Sequence, residues 1–216
     1  MKEYDAIAED WNRHRSRPIS ALALFIGEVR KGDVVLDAGC GNARNLVEIA
    51  RRCRRAVGVD SSENMLSYAA KRLGEAGLGK KVVLEQADLL VLPFGGGEFD
   101  KVFCLAVLHH LPRKEQLKAM RSLSRVLKPG GRLYISVWNR DQKKFDGRGK
   151  EVNGPWRTAD GTRVARYYYL FSDKELMLLA RRSGLKVERT VYEKDAEEHG
   201  KRGAKNLCMA LSKPTV

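Results

Sequence analysis

A glycine-rich segment with acidic residues on either side is the part of this sequence best suited to binding a small ligand. Residues 37–42, Asp-Ala-Gly-Cys-Gly-Asn, follow the apolar run 34–36 and precede a stretch with helical spacing. Glycines at such a junction let the backbone approach a ligand, and the helix N-terminus offers free N–H groups. Asp60 ends the next apolar run, where a carboxylate can accept hydrogen bonds from both hydroxyls of a ribose. The pattern predicts a nucleoside-containing cofactor.

Two cofactor classes use this arrangement, dinucleotides and S-adenosylmethionine. The dinucleotide fingerprint needs a third small residue, as in G-x-G-x-x-G/A, to bring a pyrophosphate onto the helix. Arg44 stands at that third position, which weakens the dinucleotide interpretation. Asp37, placed before the glycines, suits a cationic ligand without phosphates. The sequence therefore favours S-adenosylmethionine.

Apolar periodicity predicts strands that alternate with helices from about residue 32 onward. Short apolar runs at 34–36, 56–59, 82–84, 102–105 and 133–138 predict strands, and segments with i, i+3, i+4 spacing predict helices between them. Near-continuous apolar strands joined by helices indicate an α/β fold, with a mostly parallel sheet and helices on both faces. Ser172 and Glu175 form a capping box that predicts a helix ending near Gly184. Two last strands are expected near 186–192 and 206–213.

The chain length predicts a single domain, 1–216, with two segments outside the alternating pattern. Residues 1–31 contain helical stretches, one of them starting at Pro18 with Ile19, Leu22 and Val29 on one face. Residues 139–166 hold eight Lys or Arg, four Gly and few apolar residues, which predicts a long basic loop. We expect 1–31 and 139–171 to form the substrate side.

Composition excludes several classes of protein. Lys and Arg total 41 against 27 Asp and Glu, a formal charge of +14. Such an excess favours a polyanionic partner, although a solvated basic surface explains it as well. No run of about 18 apolar residues predicts a membrane span, and the N-terminus lacks the apolar stretch of a secretory signal. Four scattered cysteines without a CxxC pair predict neither disulfides nor a zinc site, so a cytoplasmic protein with reduced thiols and no metal is expected.

The glycine segment, Asp60, the Ala87-Asp88 pair and the L-P-F…F-D-K-V-F string together resemble the class I S-adenosylmethionine-dependent methyltransferases. The resemblance implies a Rossmann-like fold, with a mostly parallel seven-stranded sheet and a final antiparallel strand. It also implies that the glycine loop holds the methionine moiety, that Asp60 binds the ribose and that Asp88 contacts the adenine. The implied cofactor contacts are Asp37, Gly39, Cys40, Gly41, Asn42, Asp60, Ser61, Asp88, Leu89 and Leu105.

Peripheral segments resemble a narrower family, the tRNA wobble-uridine carboxymethyl methyltransferases of archaea and eukaryotes. These segments are Y-D-A-I-A-E-D-W-N-R-H-R at the N-terminus, A-V-L-H-H, G-P-W, R-Y-Y-Y-L-F and the late N-L-C-M-A-L. The resemblance implies esterification of a 5-carboxymethyl group on the uridine at the first anticodon position of tRNA. It implies a partner too, a small zinc-binding activator subunit. Departures from the family are Ala43 in place of a usual glycine, Ser61 in place of a common arginine, and Tyr169 in place of a frequent histidine.

An acceptor of this kind needs little acid–base chemistry, because a carboxylate is already ionised at neutral pH. It needs a cation that holds and orients it, and a guanidinium can do so with two hydrogen bonds. Arg15 is the first candidate and Arg166, with Tyr167 beside it, is the second. His109 and His110 follow the fourth core strand, and we expect one of them to hydrogen-bond the uracil or a phosphate. The alternative is that the histidines are ordinary loop or capping residues.

Aromatic and polar residues complete the predicted substrate site. Trp156 and Tyr168 are expected to stack on anticodon bases; otherwise they form a small core under the basic loop. Asn206 is a weaker candidate, equally explained as an exposed polar residue at a strand end. Two other functions stay open at this point: a methyltransferase acting on a small molecule, and a non-catalytic RNA-binding module.

Overall fold

The computed structural model describes residues 2–215, and an eight-stranded sheet runs through its centre. The sheet consists of β1 (Val34–Ala38), β2 (Arg55–Asp60), β3 (Val82–Gln86), β4 (Phe99–Leu105), β5 (Leu127–Trp138), β8 (Lys186–Lys194), β9 (Glu197–Glu198) and β10 (Asn206–Ser212). A separate two-stranded sheet consists of β6 (Glu151–Arg157) and β7 (Arg163–Tyr169).

The strand order in the large sheet is β3-β2-β1-β4-β5-β10-β8-β9. Strands β1 to β5 are parallel, and β10 lies antiparallel between β5 and β8. The predicted α/β fold with a mostly parallel sheet and a final antiparallel strand is confirmed. Seven of the strands match the expected count, and the eighth is β9, a two-residue strand inside the predicted connection between the last two strands.

Six α-helices accompany the strands in residues 2–215. They are α1 (Lys2–Ala6), α2 (Ala8–His14), α3 (Leu46–Arg52), α4 (Glu63–Glu75), α5 (Arg113–Val126) and α6 (Asp173–Arg182). Caps fix two of their starts: the Ser62 side chain accepts a hydrogen bond from the Met65 amide, and Ser172 with Glu175 forms the predicted capping box. None of these helices is long and apolar enough to cross a membrane.

The core has two layers because successive strand residues point to opposite faces of the sheet. On one face Leu36 and Val102 pack with residues of α5 and α6. On the other face Val35 and Phe103 pack with residues of α3 and α4, and with Phe25. The helices therefore cover both faces, as the near-continuous apolar strands predict.

The segment after Pro18 differs from the predicted helix. It forms two 3-10 helices, Ser20–Leu24 and Ile26–Glu28. They are separated at Phe25, whose φ of −129° is not helical. The Phe25 ring is fully buried and lies 5.0 Å from the Tyr134 ring. Burial of this ring against the sheet accompanies the break in the helix.

Residues 139–166 are not the long loop that their composition predicts. A 3-10 turn at Lys143–Phe145 leads into the hairpin of β6 and β7. The sequence does not predict the hairpin because β6 shows no clear alternation of apolar and polar residues. In the structure, exposed and half-buried residues alternate along β6 and none is fully buried. Gly154 and Pro155 inside the strand hide it further. The hairpin lies beside the carboxyl ends of the parallel strands and carries Trp156 and Arg166.

Candidate active site

The glycine loop between β1 and α3 has the backbone geometry that a bound cofactor requires. Gly39 has a φ of 81°, and a Cβ at this position would overlap the Val107 side chain. The amides of Gly39 and Cys40 donate to the Val59 carbonyl at 2.8 and 2.9 Å. Ala43 has a φ of 61°, a left-handed conformation that favours glycine. The loop is thus held against the end of β2.

Asp60 joins this loop to the start of α4. Its Oδ2 accepts the Gly41 amide at 2.8 Å and its Oδ1 accepts the Ser62 amide at 3.0 Å. Burial raises the pKa of Asp60, and these two hydrogen bonds oppose that rise. Asp60 lines both cavities of the site, so it stands where a ribose would connect the two halves of the cofactor.

The smaller cavity, about 150 Å³, lies on one side of Asp60. Its lining contains Ser61, Asp88 and Leu89, three of the residues predicted to contact the cofactor. Asp88 Oδ1 accepts the Leu90 amide at 2.8 Å, which fixes the carboxylate at the rim. The geometry suits recognition of an exocyclic amine.

Asp37 lies at the end of β1 next to the glycine loop. It is 1% exposed, and its Oδ2 has no hydrogen-bond partner within residues 2–215. Burial and the nearby Asp60 raise the pKa of Asp37 to about 7, while Arg44 opposes the rise. The buried Asp37 carboxylate thus has no cation hydrogen-bonded to its Oδ2. The ammonium group of a methionine moiety would supply one.

The larger cavity, about 510 Å³, opens on the other side of Asp60. Its lining brings together predicted residues from distant parts of the chain: Arg15, Gly39, Cys40, Gly41, Asn42, Leu105, His109, His110, Arg166, Tyr168 and Asn206. Asn42 anchors the N-terminal segment here, since its Nδ2 donates to Asn12 Oδ1 at 2.9 Å and to the Arg15 carbonyl at 3.0 Å.

Three arginines surround one aromatic ring beside this cavity. The guanidinium carbons of Arg15, Arg44 and Arg166 lie 5.5, 5.7 and 5.7 Å from the centre of the Trp11 ring. All three line the cavity, and none forms an ion pair with an Asp or Glu of residues 2–215. Arg166 is 9% exposed and its Nε has no partner. So many unpaired cations indicate a site for anionic ligands.

Both histidines are neutral and held by hydrogen bonds. His110 Nδ1 donates to the Tyr167 carbonyl at 3.0 Å, so its Nε2 accepts from the Tyr4 hydroxyl at 2.8 Å. His109 Nδ1 accepts the Trp138 amide at 3.1 Å, which leaves the proton on Nε2. Burial lowers the pKa of His110 to about 4 and that of His109 well below its usual value. Both side chains line the larger cavity.

The predicted aromatic residues take different positions. Tyr168 lines the cavity but is 2% exposed and already stacked on Trp138. Trp156 packs on Trp11 with ring centres 5.2 Å apart, and donates to Asp10 Oδ2 at 2.7 Å. The Tyr167 side chain is not part of the cavity lining, and only its carbonyl touches the site through His110. Alternation along β7 explains this, because neighbours of Arg166 and Tyr168 point to the opposite face.

Asn206 is not the exposed strand-end residue considered as its alternative. It is 3% exposed, lines the cavity and donates from Nδ2 to Glu193 Oε2 at 2.6 Å. Glu193 is itself fully buried. Asn206 is therefore fixed in orientation at the cavity wall.

Tyr4, Trp11 and Arg44 are among the residues of the cavity lining that the sequence analysis does not predict. Tyr4 and Trp11 belong to the N-terminal helices, which dock on the start of α4. There Asp5 Oδ1 accepts from Ser62 Oγ at 2.6 Å and from the Asn64 amide at 3.2 Å. Both residues belong to the Y-D-A-I-A-E-D-W motif, and their aromatic type in that motif is the sequence signal that marks them. Within the described residues, no group of His, Cys, Asp and Glu side chains is arranged to bind a metal.

The residues present fit S-adenosylmethionine. Gly39 and Gly41 line the larger cavity without side chains, Asp60 and Asp88 offer carboxylates at two rims, and the unpartnered Asp37 Oδ2 would complement an ammonium group. The proteins that this chain resembles in sequence are methyltransferases too. A family model for a methyltransferase domain matches residues 35–131.

Three curated relatives show how far the similarity extends. The putative methyltransferase ECU09_1500 of Encephalitozoon cuniculi is 31% identical over 193 residues, 85% of this chain and 85% of that protein. The tRNA (carboxymethyluridine(34)-5-O)-methyltransferase alkbh8 of Xenopus tropicalis is 32% identical over 171 residues, 76% of this chain. The match spans only 26% of the Xenopus protein. Methyltransferase GfsG of Streptomyces halstedii is 36% identical over 110 residues, 50% of this chain and 39% of that protein.

Solved structures share the fold. One is the putative methyltransferase of Haloferax volcanii in complex with the Trm112 methyltransferase activator. It superposes with a TM-score of 0.75 at 17% identity, over 99% of this chain and 96% of that chain. With the relative from Encephalitozoon covering most of both chains, the assignment is clear: this chain belongs to the class I S-adenosylmethionine-dependent methyltransferases.

Proposed function

We propose that this methyltransferase acts on the carboxylate of 5-carboxymethyluridine at the wobble position of tRNA, forming a methyl ester. The observation that carries the proposal is Arg166, a buried guanidinium without an acidic partner on the wall of the cavity beside the cofactor loop. Arg15 stands at the exposed mouth of the same cavity. A buried cation without an internal counterion is costly unless a ligand supplies the negative charge.

The chemistry asks these residues for orientation rather than proton transfer. S-adenosylmethionine supplies an electrophilic methyl group on a sulfonium. Arg166 and Arg15 hold the acceptor carboxylate so that one oxygen faces the methyl carbon, and bidentate binding restricts its rotation. The new C–O bond forms as the C–S bond breaks, and no proton moves. The neutral His109 and His110 are then hydrogen-bonding groups, which agrees with their lowered pKa values.

Charge and similarity support a tRNA acceptor. The formal charge of +14 favours a polyanion, and Arg15 and Arg166 line the cavity without an acidic partner in residues 2–215. The Xenopus relative bears the name of a tRNA carboxymethyluridine methyltransferase. The Haloferax neighbour was solved with the Trm112 activator, which supports our proposal of a small zinc-binding activator subunit as the partner of this chain.

A labelled-methyl assay with under-modified tRNA tests the proposal. The protein, with and without the activator, is incubated with methyl-labelled S-adenosylmethionine, and the recovered tRNA is treated with mild alkali. Release of the label as volatile methanol is the expected result, because only an ester is cleaved in this way. Label that stays on the tRNA would contradict the ester, and no label in tRNA would contradict the tRNA acceptor.

A small-molecule acceptor is the second candidate. The similarity to GfsG and the 510 Å³ cavity favour it, since cavities of about 300–1,000 Å³ are typical of small ligands. Methyl transfer to a metabolite extract that persists after nuclease treatment would support this candidate. It leaves the formal charge of +14 and the basic hairpin without a role.

A further inference from the structure

Arg44 has a position that the proposed acceptor site does not explain. It follows Ala43, whose left-handed backbone turns the chain away from the glycine loop. Its side chain is half-buried and lines the larger cavity together with Gly39, Gly41 and Asp60. Of the three arginines around Trp11, it alone belongs to the cofactor loop.

Asp37 and Arg44 flank the glycine segment in the sequence and form no ion pair with each other within residues 2–215. Burial and then Arg15 lower the pKa of Arg44 to about 10, and Asp37 opposes that shift. In return Arg44 opposes the rise in the pKa of Asp37. The two charges are therefore close enough to interact, yet Asp37 Oδ2 has no hydrogen-bond partner within residues 2–215. Opposite charges at the two ends of the glycine segment suit a ligand that carries both signs.

The methionine moiety of S-adenosylmethionine is such a ligand, because its ammonium and carboxylate groups sit on one carbon atom. We propose that Arg44 binds the carboxylate of the methionine moiety, while Asp37 complements the ammonium group. Charge-assisted hydrogen bonds between a guanidinium and a carboxylate are the stronger kind in proteins. Arg44 is then a cofactor-binding residue that also selects for an intact amino-acid group.

This assignment divides the three arginines by ligand. The reaction that we propose involves two carboxylates, one on the cofactor and one on the acceptor. Arg44 serves the first, and Arg15 and Arg166 serve the second. The cofactor role of Arg44 holds for any acceptor, so it stands or fails separately from the proposed tRNA substrate.

Calorimetric binding of two ligands tests the inference without any methyl transfer. The first is S-adenosylmethionine, and the second is decarboxylated S-adenosylmethionine, which lacks only the carboxylate. We expect Arg44→Gln to weaken binding of the first about 10- to 100-fold and to leave binding of the second within about twofold, the range of a charged hydrogen bond. Arg44→Lys, which keeps the charge, is expected to recover part of the loss.

Arg54→Gln, at an exposed position outside the cavity lining, is the control for the loss of one positive charge. It is expected to leave the affinities for both ligands unchanged. A carboxylate-dependent loss in Arg15→Gln, whose guanidinium lies over the same Trp11 ring, rather than in Arg44→Gln would overturn the assignment. Equal weakening of both ligands by Arg44→Gln would overturn it too, since that result indicates a disturbed loop. If Arg44→Gln fails to fold, Arg44→Lys carries the same comparison: it must lose affinity for S-adenosylmethionine alone.

Discussion

The indole N–H of Trp156 donates to Asp10 Oδ2 at 2.7 Å, joining two residues that are 146 positions apart in the chain. Trp156 belongs to the β6–β7 hairpin and Asp10 to helix α2. Trp11, which packs on Trp156, and Arg166 of the same hairpin line the larger cavity. The two segments outside the alternating fold thus form one wall, and this contact fixes its shape.

Loss of this hydrogen bond is expected to loosen the hairpin. Asp10 is buried and its Oδ1 already lacks a hydrogen-bond partner within residues 2–215, so Trp156→Phe leaves the carboxylate without its indole donor. A buried group left unsatisfied costs about 1–3 kcal/mol. Amide hydrogen exchange across β6 and β7 should quicken about 10- to 100-fold, while exchange in β4 stays the same. Unchanged exchange in the hairpin would show that ring packing alone holds it.

Arg166 is the residue whose replacement should separate acceptor chemistry from cofactor binding. We expect Arg166→Gln to lower kcat/KM for tRNA about 10- to 100-fold, because a charged hydrogen bond to the acceptor is lost. The dissociation constant of S-adenosylhomocysteine should change by less than about threefold. Arg163→Gln, an exposed position on the same strand, is the control for a general effect of charge. Equal losses of kcat/KM in the two variants would mean that the overall positive charge of the surface causes the effect, and not a contact of Arg166 with the acceptor.

Replacement of Arg15 should also reduce acceptor chemistry without affecting cofactor binding. Arg15→Ala should reduce ester formation strongly while cofactor binding is retained, since its guanidinium lies over Trp11 and Trp156 rather than in the glycine loop. The measurement is the rate of alkali-labile methyl transfer at saturating cofactor. A normal rate would show that Arg15 does not hold the acceptor.

Asp60 should affect both the loop and the cofactor. Asp60→Ala removes the acceptor of the Gly41 and Ser62 amides and a partner for the ribose hydroxyls. We expect binding of S-adenosylhomocysteine to weaken at least about tenfold, with a loss of about 1–3 kcal/mol in the free energy of unfolding. Glu63→Ala, an exposed neighbour, is the control for calorimetry and denaturation. An Asp60→Ala protein with normal affinity would place the ribose elsewhere.

The cofactor half of the site could be predicted from sequence because its signals are local. Gly39, Asp60 and Asp88 each stand at the end of an apolar run, and parallel strands bring such ends to one edge of the sheet. The Ser172–Glu175 capping box is equally local, and the structure contains it. In each case the residue type and the element boundary coincide within a few positions.

The acceptor half depends on contacts between distant segments, which local patterns do not encode. In the sequence, Arg44 only interrupts the dinucleotide fingerprint. Its place beside Trp11 and Arg166 at the larger cavity is visible only in the structure. The composition predicts a loop in place of the hairpin, because Gly154 interrupts the residue pattern of a strand. In the structure a Cβ on Gly154 would come within 2.8 Å of Tyr168 Cε2, so glycine is required by a partner on the other strand.

The two histidines give the protein a measurable dependence on pH. Burial lowers the pKa of His110 from 6.5 to about 4, with the hydrogen bond to the Tyr167 carbonyl opposing the shift and Arg166 adding to it. A histidine with a lowered pKa binds its proton less readily in the folded state than in the unfolded state. Its contribution to stability is therefore complete above pH 6.5 and is lost as the pH falls towards about 4.

Comparison of the wild type with His110→Gln isolates this contribution from those of Asp37 and Asp60, whose raised pKa values act in the opposite direction. At about 1.4 kcal/mol for each pKa unit, the difference in unfolding free energy between the two proteins should shrink by about 3 kcal/mol between pH 6.5 and pH 4. Denaturant titrations at a series of pH values measure it. A difference that stays constant over this range would mean that His110 binds its proton equally in the folded and unfolded states. Burial would then not disfavour the charged imidazole at this position.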